Sequence, residues 1–325
     1  MVSALTQDPP ETTPTLEHHR RLARRAGSGV RLSGNGPRLR FGGVPYLLLV
    51  PLGVFLLAFS LLPFLWALLI SVQPPLGASS GQITGVTWAN FQDILTDPQT
   101  GSGIVVTLLY AFVSTFFIIA FSIGSAIALA NVRRGSGFYQ LFLLIPLTLA
   151  PPVVVILWQA MFNPSSGAVN GVLRQVGLPA QGFYESTGQA LPTIIAMGVW
   201  SQVGFWTLVF LSALRSLSSE MFEASEIDGA GPVRTFFSIT LPLLKRTILL
   251  ASVVLSTAGL VVFIPAQLLT QGGPGDSTRF LMYQAAQDVL RFGQPGSANA
   301  IVVLILLLIA IIAAVQFRLI RSEDA

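Results

Sequence analysis

Apolar side chains run along this chain in six long blocks separated by shorter polar stretches, at about Tyr46 to Val72, Ile104 to Ala130, Phe138 to Phe162, Ala190 to Leu214, Thr247 to Thr270 and Ala298 to Ile320. A bilayer core needs roughly 20 consecutive apolar residues in a helix, so each block is long enough to cross with some tilt. Backbone groups find no water at that depth, which leaves only helix bundles and closed barrels, and the long unbroken runs select helices. The expected fold is therefore all-α, an integral membrane bundle of six spans within residues 42–325. Residues 1–41 are rich in Arg, Pro, Ser, Thr and Gly without a sustained apolar period, and read as a disordered basic tail. The first apolar block is too long for the core of a cleavable signal, roughly 7 to 15 residues, and no clean small-residue cleavage site follows it.

Composition agrees: 52% of the 325 residues are hydrophobic and 10% charged, against about 25% charged in a soluble domain. Charge then orients the chain. Of the eighteen Lys and Arg residues, fifteen fall in the tail, at Arg133 and Arg134, between Arg215 and Arg246, or at Arg318 and Arg321, whereas the three alternate loops hold only Arg174, Arg279 and Arg291. The positive-inside rule places both termini in the cytoplasm. An Arg-rich tail also suits anionic lipid or nucleic acid, but a solvated topology determinant accounts for it, and no nucleic-acid partner is expected.

Several chemistries drop out. There is no cysteine, and His18 and His19 lie in the tail, so neither thiolate nor histidine chemistry is available at membrane depth and no metal site or catalytic residue is expected. The single lysine, Lys245, follows Leu244 rather than the glycine of a phosphate-binding loop, so any ATP and Mg are bound by another chain and this one carries no cofactor. All fourteen carboxylates fall outside the six blocks, which argues against a proton-coupled carrier, since such coupling uses a group that changes charge within the membrane. The blocks do contain Tyr110, Trp158, Gln159, Trp200, Gln202, Trp206 and Gln267. Amides match hydroxyls as donor and acceptor, and aromatic faces pack on the C–H face of a sugar ring, so these seven are candidate path residues for an uncharged polyhydroxylated solute. Helix packing is the alternative for each. Pro146, Pro151 and Pro152 interrupt the third block and Pro265 the fifth, as expected of kinked helices or of helices broken beside a cavity.

The stretch 215–246 is long for a mere connection. Ser218 or Ser219 can cap a helix with Glu220 and Glu223 in its first turn, Gly229 can end it in a left-handed conformation, and Pro232 suits the start of a second helix. Pro242 is expected to break the chain before it re-enters the membrane, and Met221, Phe222, Ile227, Phe236 and Phe237 to face a partner. Within this stretch, Glu223, Ala224, Ser225, then Gly229, then Ile239, Leu241 and Pro242 resemble the EAA signature of permeases of binding-protein-dependent ABC importers. Ser225 stands where that signature normally has alanine, and Lys245 and Arg246 lie near where sugar permeases often carry another proline. Ile145, Pro146, Pro151, Trp158, Phe162, Asn163, Gly167, Asn170 and Leu173 are similar to the third-span region of carbohydrate permeases. The outer-loop run Gln271 to Thr278, with Gly272, Gly273 and Pro274, looks like the GGP segment of one permease type in the maltose and glycerol-3-phosphate group, although a glycine-proline turn alone would read the same way.

The resemblance covers about residues 45–320 and implies a type I importer permease. Such a chain pairs with a second, homologous permease, two ABC ATPase subunits and an extracytoplasmic solute-binding protein or lipoprotein. It also implies that Glu223, Ala224, Ser225, Asp228, Gly229, Ala230, Phe236, Ile239, Leu241 and Pro242 form the ATPase-coupling loop. A sugar or oligosaccharide is the implied cargo. Glycerol-3-phosphate or a glycerophosphodiester is the rival within the same class, and a secondary carrier without ATPase partners is the rival from another class.

Overall fold

The computed structural model describes residues 44–74, 85–132 and 134–321. The tail reading, 1–41, and the terminal residues Glu323 and Asp324 lie outside them. The chain divides into two compact units, 1–59 and 60–325. In the first, helix α1 (Val44–Leu56) is apolar throughout and carries Pro51 in its interior. In the second, the helices are α2 (Leu62–Ser71), α3 (Ala89–Thr96), α4 (Pro98–Ala130), α5 (Ser136–Thr148), α6 (Pro151–Met161), α7 (Ala168–Gln175), α8 (Ala190–Arg215), α9 (Ser219–Ile227), α10 (Pro232–Thr235), α11 (Leu241–Leu260), α12 (Leu281–Leu290) and α13 (Pro295–Arg321). Among the described residues there is no strand.

Five helical segments are long and apolar enough to cross a bilayer: Leu49–Ser71, Pro98–Ala130, Ala190–Arg215, Pro232–Leu260 and Pro295–Leu319. The expected third span is different. It is a pair, α5 and α6, bent by 97° at Leu149 and Ala150. At 13 and 11 residues the two helices are roughly 20 and 17 Å long, so neither crosses alone. The cause is local: Ala150 precedes a proline and is extended (ψ 140°), Leu149 is extended as well (ψ 135°), and Pro151 and Pro152 open α6, where a missing N–H costs nothing. Pro146 does not interrupt; it sits inside α5.

The fifth span also departs from expectation. It begins at Pro232, inside the polar stretch, and runs to Leu260 rather than from Thr247 to Thr270. Pro242 therefore does not break the chain. The turn ahead of it, Phe236–Thr240, is π-helical, and this wider turn makes room for a ring that would otherwise press on the carbonyl four residues back. The helix ends at Val261, and Pro265 precedes a separate π-turn, Ala266–Thr270.

The long helix α4 is central to the second unit. Asp97 caps it by accepting from the Gln99 and Thr100 amides at 3.0 and 3.1 Å. Its side chains enter three apolar clusters, around Tyr110 and Ile194, around Ile118 and Phe210, and around Ala111 and Ile301. Phe112, Phe116 and Phe121 on the same helix remain exposed, the pattern of a helix that faces lipid or another helix on its remaining side. The α5–α8 crossing is very close: the Leu143 carbonyl lies against the α-carbon of Gly204, where no β-carbon fits. At membrane depth such contacts replace the hydrophobic driving force available in water.

Candidate functional site

Two clefts open along the middle of α8, of ≈ 230 and ≈ 260 Å³, and share Gly198, Ser201 and Gln202 in their walls. The first continues to Pro146 and Pro151 of the bent pair; the second takes in Tyr110, Ser114 and Trp206. Their position follows from packing. Tyr110 is buried, and its hydroxyl sits so near Gly198 that a β-carbon there would lie 2.5 Å from it. Glycine at 198 thus lets α4 and α8 approach while the residues one turn on remain uncovered. No Asp, Glu, Lys or Arg lines either cleft, and the polar side chains in their walls are Tyr110, Ser114, Ser201, Gln202 and Trp206, suited to hydroxyl-bearing solutes rather than ions.

The seven path residues expected from sequence separate into groups. Tyr110, Gln202 and Trp206 share one cleft. Trp158 lines a different cleft with Phe162 and Phe183, and Trp200 stands 6.1 Å from Trp158, ring centre to ring centre. Gln159 is exposed and lines none of these clefts. Gln267 accepts a hydrogen bond from Gln287 at 3.2 Å, tying the π-turn to α12. Sequence reading missed Ser201 and Gly198, which carry no distinctive signal in an apolar run, and missed Phe183, which reaches the cluster from a loop.

The segment Gln271 to Thr278 is tightly folded. Gln271, Gly272, Gly275 and Asp276 all have positive φ. The Thr278 hydroxyl donates to the Gly273 carbonyl at 2.7 Å, and the Tyr283 hydroxyl donates to the Gln271 carbonyl at 2.8 Å. A β-carbon at Gly272 would lie 2.7 Å from the Tyr283 ring, so this glycine answers a close approach as well as its φ of +81°. Arg279 pairs with Asp276 at 2.8 Å. Nearby, Gln284 donates to the Thr100 hydroxyl at 2.8 Å and to Asp97 at 3.3 Å, while Asp288 accepts from Ser297 at 2.6 Å. Burial works to raise the Asp97 pKa, but the bonds from Gln99, Thr100 and Gln284 outweigh it and hold the carboxyl below its ordinary value. Asp288 is pushed up, first by burial and further by the charge of Asp97, against the opposing Ser297 bond and Arg279.

At the far end of α8 the stretch 215–246 is helix, turn, helix. Gly229 follows α9 with φ +72°, and the Ala230 amide donates back to the Ser225 carbonyl at 2.9 Å, the geometry of a left-handed helix stop. Glu223, Ala224 and Asp228 are exposed. Ser225 is buried, and its hydroxyl bonds to the Phe222 carbonyl at 2.8 Å, so a hydroxyl in an alanine's place is satisfied within its own turn. The expected apolar surface is split in two. Ile227 (86% exposed), Phe237 (60%) and Met221 face outward, whereas Phe222 and Phe236 line a ≈ 550 Å³ cleft behind α9, closed on the other side by Ile127, Leu214 and Arg215. Ile239 and Leu241 are half-buried and Pro242 is exposed.

A bundle of apolar helices with a bent pair beside a neutral cleft, and a protruding helix–turn–helix between two spans, has the form of a membrane permease. Residues 120–322 match the family described as binding-protein-dependent transport system inner membrane component, and the chain belongs to that family: it is a multi-pass inner-membrane permease subunit of an ABC importer. It is 31% identical to the sn-glycerol-3-phosphate transport system permease protein UgpA of Pectobacterium atrosepticum over 90% of this chain and 99% of that one. The same permease protein of Salmonella typhimurium is 32% identical, with the same coverage of both chains. A chain of a bacterial alginate ABC transporter, solved in complex with an alginate pentasaccharide-bound periplasmic protein, has the same fold: TM-score 0.74, 20% identity, covering 86% of this chain and 94% of that one.

Proposed function

We propose that this chain forms half of the translocation path for a neutral sugar or oligosaccharide delivered by an extracytoplasmic binding protein. It works beside a second, homologous permease and two ATPase subunits that bind ATP and Mg on the cytoplasmic face. The observation that carries the cargo assignment is the wall of the two α8 clefts, which offers Tyr110, Ser201, Gln202 and Trp206 and no charged side chain. A phosphate within such a cleft would call for a cation. Arg174 sits in the last turn of α7, Arg279 in the segment before α12 and Arg291 at the end of α12, and none of the three lines these walls.

Both termini are assigned to the cytoplasm by the distribution of Lys and Arg. That orientation puts 215–246 on the ATPase side. Met221, Ile227 and Phe237, exposed beside Glu223 and Asp228, offer the docking face. Closure of the ATPase dimer on ATP would draw two such loops together and shift the bundle between inward- and outward-facing states.

A second reading, glycerol-3-phosphate as cargo, is favoured by the names of the relatives. Purification of the assembled importer with its binding protein, followed by ATP-dependent uptake of a neutral oligosaccharide and of glycerol-3-phosphate into proteoliposomes, separates the two. Uptake of the phosphate alone overturns the sugar assignment, and uptake by this chain without the ATPase subunits overturns the coupling assignment.

A further inference from the structure

Four aromatic rings follow one another from the outer loop toward the middle of α8. Phe183 meets Phe162 edge to face at 5.1 Å, Phe162 stacks on Trp158 at 4.4 Å with the planes only 7° apart, and Trp158 stands 6.1 Å from Trp200. Trp158 stands one helical turn along α6 from Val154 and Val155, which wall the first of the α8 clefts, whereas Trp200 lines a separate cavity with Phe142 and Gly204. The outer end of this series is an open cleft of ≈ 290 Å³ lined by Trp158, Phe162, Phe183, Gln181, Gln189 and Thr193, near the lower end of the range for small-ligand sites, about 300 to 1,000 Å³.

Trp158 belongs to the buried cluster around Tyr110 and Ile194, and Phe162 and Phe183 pack on its edge while also lining the open cleft. Phe183 has φ +42°, a conformation that bulky side chains rarely adopt and that marks places where a structure spends strain on function. Its amide is held by the Gln189 side-chain oxygen at 2.8 Å; Gln189 in turn donates to Gln181 at 2.7 Å, and Gln181 donates to the Pro179 carbonyl at 3.0 Å. Each of these two amides therefore keeps a second N–H and a second lone pair for a ligand. None of the residues lining this cleft is charged.

We propose that this cleft is an entrance subsite for a pyranose ring, and that the rings of Phe183, Phe162 and Trp158 form a track along which a saccharide passes from the outer face to the first of the α8 clefts. The C–H face of the sugar packs on the aromatic planes, and its hydroxyls exchange hydrogen bonds with Gln181 and Gln189. The proposal rests on the sugar reading above and extends it to a second site on the same chain.

The test uses the assembled importer in lipid nanodiscs, with methyl α-D-glucopyranoside and glycerol-3-phosphate as separate probes in saturation-transfer NMR. Phe183→Leu keeps apolar bulk and removes the aromatic face, whereas Phe183→Tyr keeps the face. Wild type and Phe183→Tyr are expected to transfer saturation to the ring C–H protons of the glucoside, and Phe183→Leu and Phe162→Leu to weaken that transfer about tenfold; the phosphate should give no signal sensitive to these residues. Equal signals in all four proteins, or none in wild type, overturn the track. So does an equal loss, in Leu and Tyr variants alike, of ATPase stimulation by the binding protein, which would make Phe183 part of a docking face. Saccharide uptake without the NMR signature sinks the track alone, and uptake of glycerol-3-phosphate without any saccharide sinks the sugar reading with it.

Discussion

The carbonyl oxygen of Leu143 on α5 rests against the α-carbon of Gly204 on α8, with no space for a methyl group between them. The obstacle is backbone, which cannot rotate away as a side chain would. Gly204→Ala is therefore expected to force α5 and α8 apart, at a cost of about 1–3 kcal/mol as for other overpacked contacts. Thermal unfolding of the detergent-solubilised importer should show a lower midpoint for this variant. An unchanged midpoint would mean that the bent pair yields without cost.

Gly229 presents the opposite situation. Its φ is +72°, yet a β-carbon would meet nothing within 4 Å. Substitution there is limited by backbone preference alone, and Asn and Asp tolerate the left-handed region best. Gly229→Asn should thus leave both insertion and coupling near normal, whereas Gly229→Asp adds a negative charge to the proposed docking face and is expected to insert normally but to uncouple uptake from ATP hydrolysis. The measurement is the ratio of solute transported to ATP hydrolysed. Equal coupling in both variants would remove Gly229 from the docking surface.

Asp97 and Asp288 contribute to stability with opposite dependence on pH. Asp97 is held below the ordinary 3.8, so its contribution is complete above 3.8 and is lost as pH falls through the lowered native value. Asp288 is raised; its ionisation penalises the fold increasingly as pH rises from 3.8 to the raised native value, and by a constant amount above it. Asp288→Asn keeps an oxygen to accept from Ser297 and removes the charge. Its unfolding midpoint should exceed that of wild type at pH 7, and the difference should shrink on acidification toward 3.8. A difference independent of pH would show that charge is not the cause.

The apolar blocks located the spans because crossing a bilayer is a constraint on length and polarity, and both are written residue by residue. Direction is not. The Phe138 to Phe162 block is uncharged from end to end, and only the extended pair Leu149 and Ala150 turns the chain by 97° there. Pro151 and Pro152 signalled an interruption without distinguishing a slight kink from a right-angle bend. At Pro242 the signal misled: a proline opening a helix and a proline relieved by a π-turn look alike in sequence, and Lys245 and Arg246 made the start of the span look later than Pro232. In the 215–246 stretch the signature spacing was legible, but the split of its apolar residues was not. Phe222 and Ser225 turn inward, three residues apart on one face, while Ile227 turns outward. Nor could periodicity bring Phe183 to Phe162, because the contact is made across a loop that caps the α6 end.

Gln202 is the amide shared by both α8 clefts, and it is the sharpest single test of the path. Gln202→Leu removes donor and acceptor while preserving most of the volume, and takes away the one side-chain amide in these walls. Losing one or two hydrogen bonds to a neutral solute is expected to lower kcat/KM for uptake about tenfold, given about 1 kcal/mol for each bond. ATPase activity stimulated by the liganded binding protein should persist, because the residue lies far along α8 from the 215–246 stretch and has no role in receiving the ATPase. Gln202→Asn, shorter by one methylene, should fall between the two. A Leu variant that transports normally would place the solute elsewhere in the bundle, and one that loses ATPase stimulation together with uptake would make Gln202 a packing residue of the α4–α8 contact.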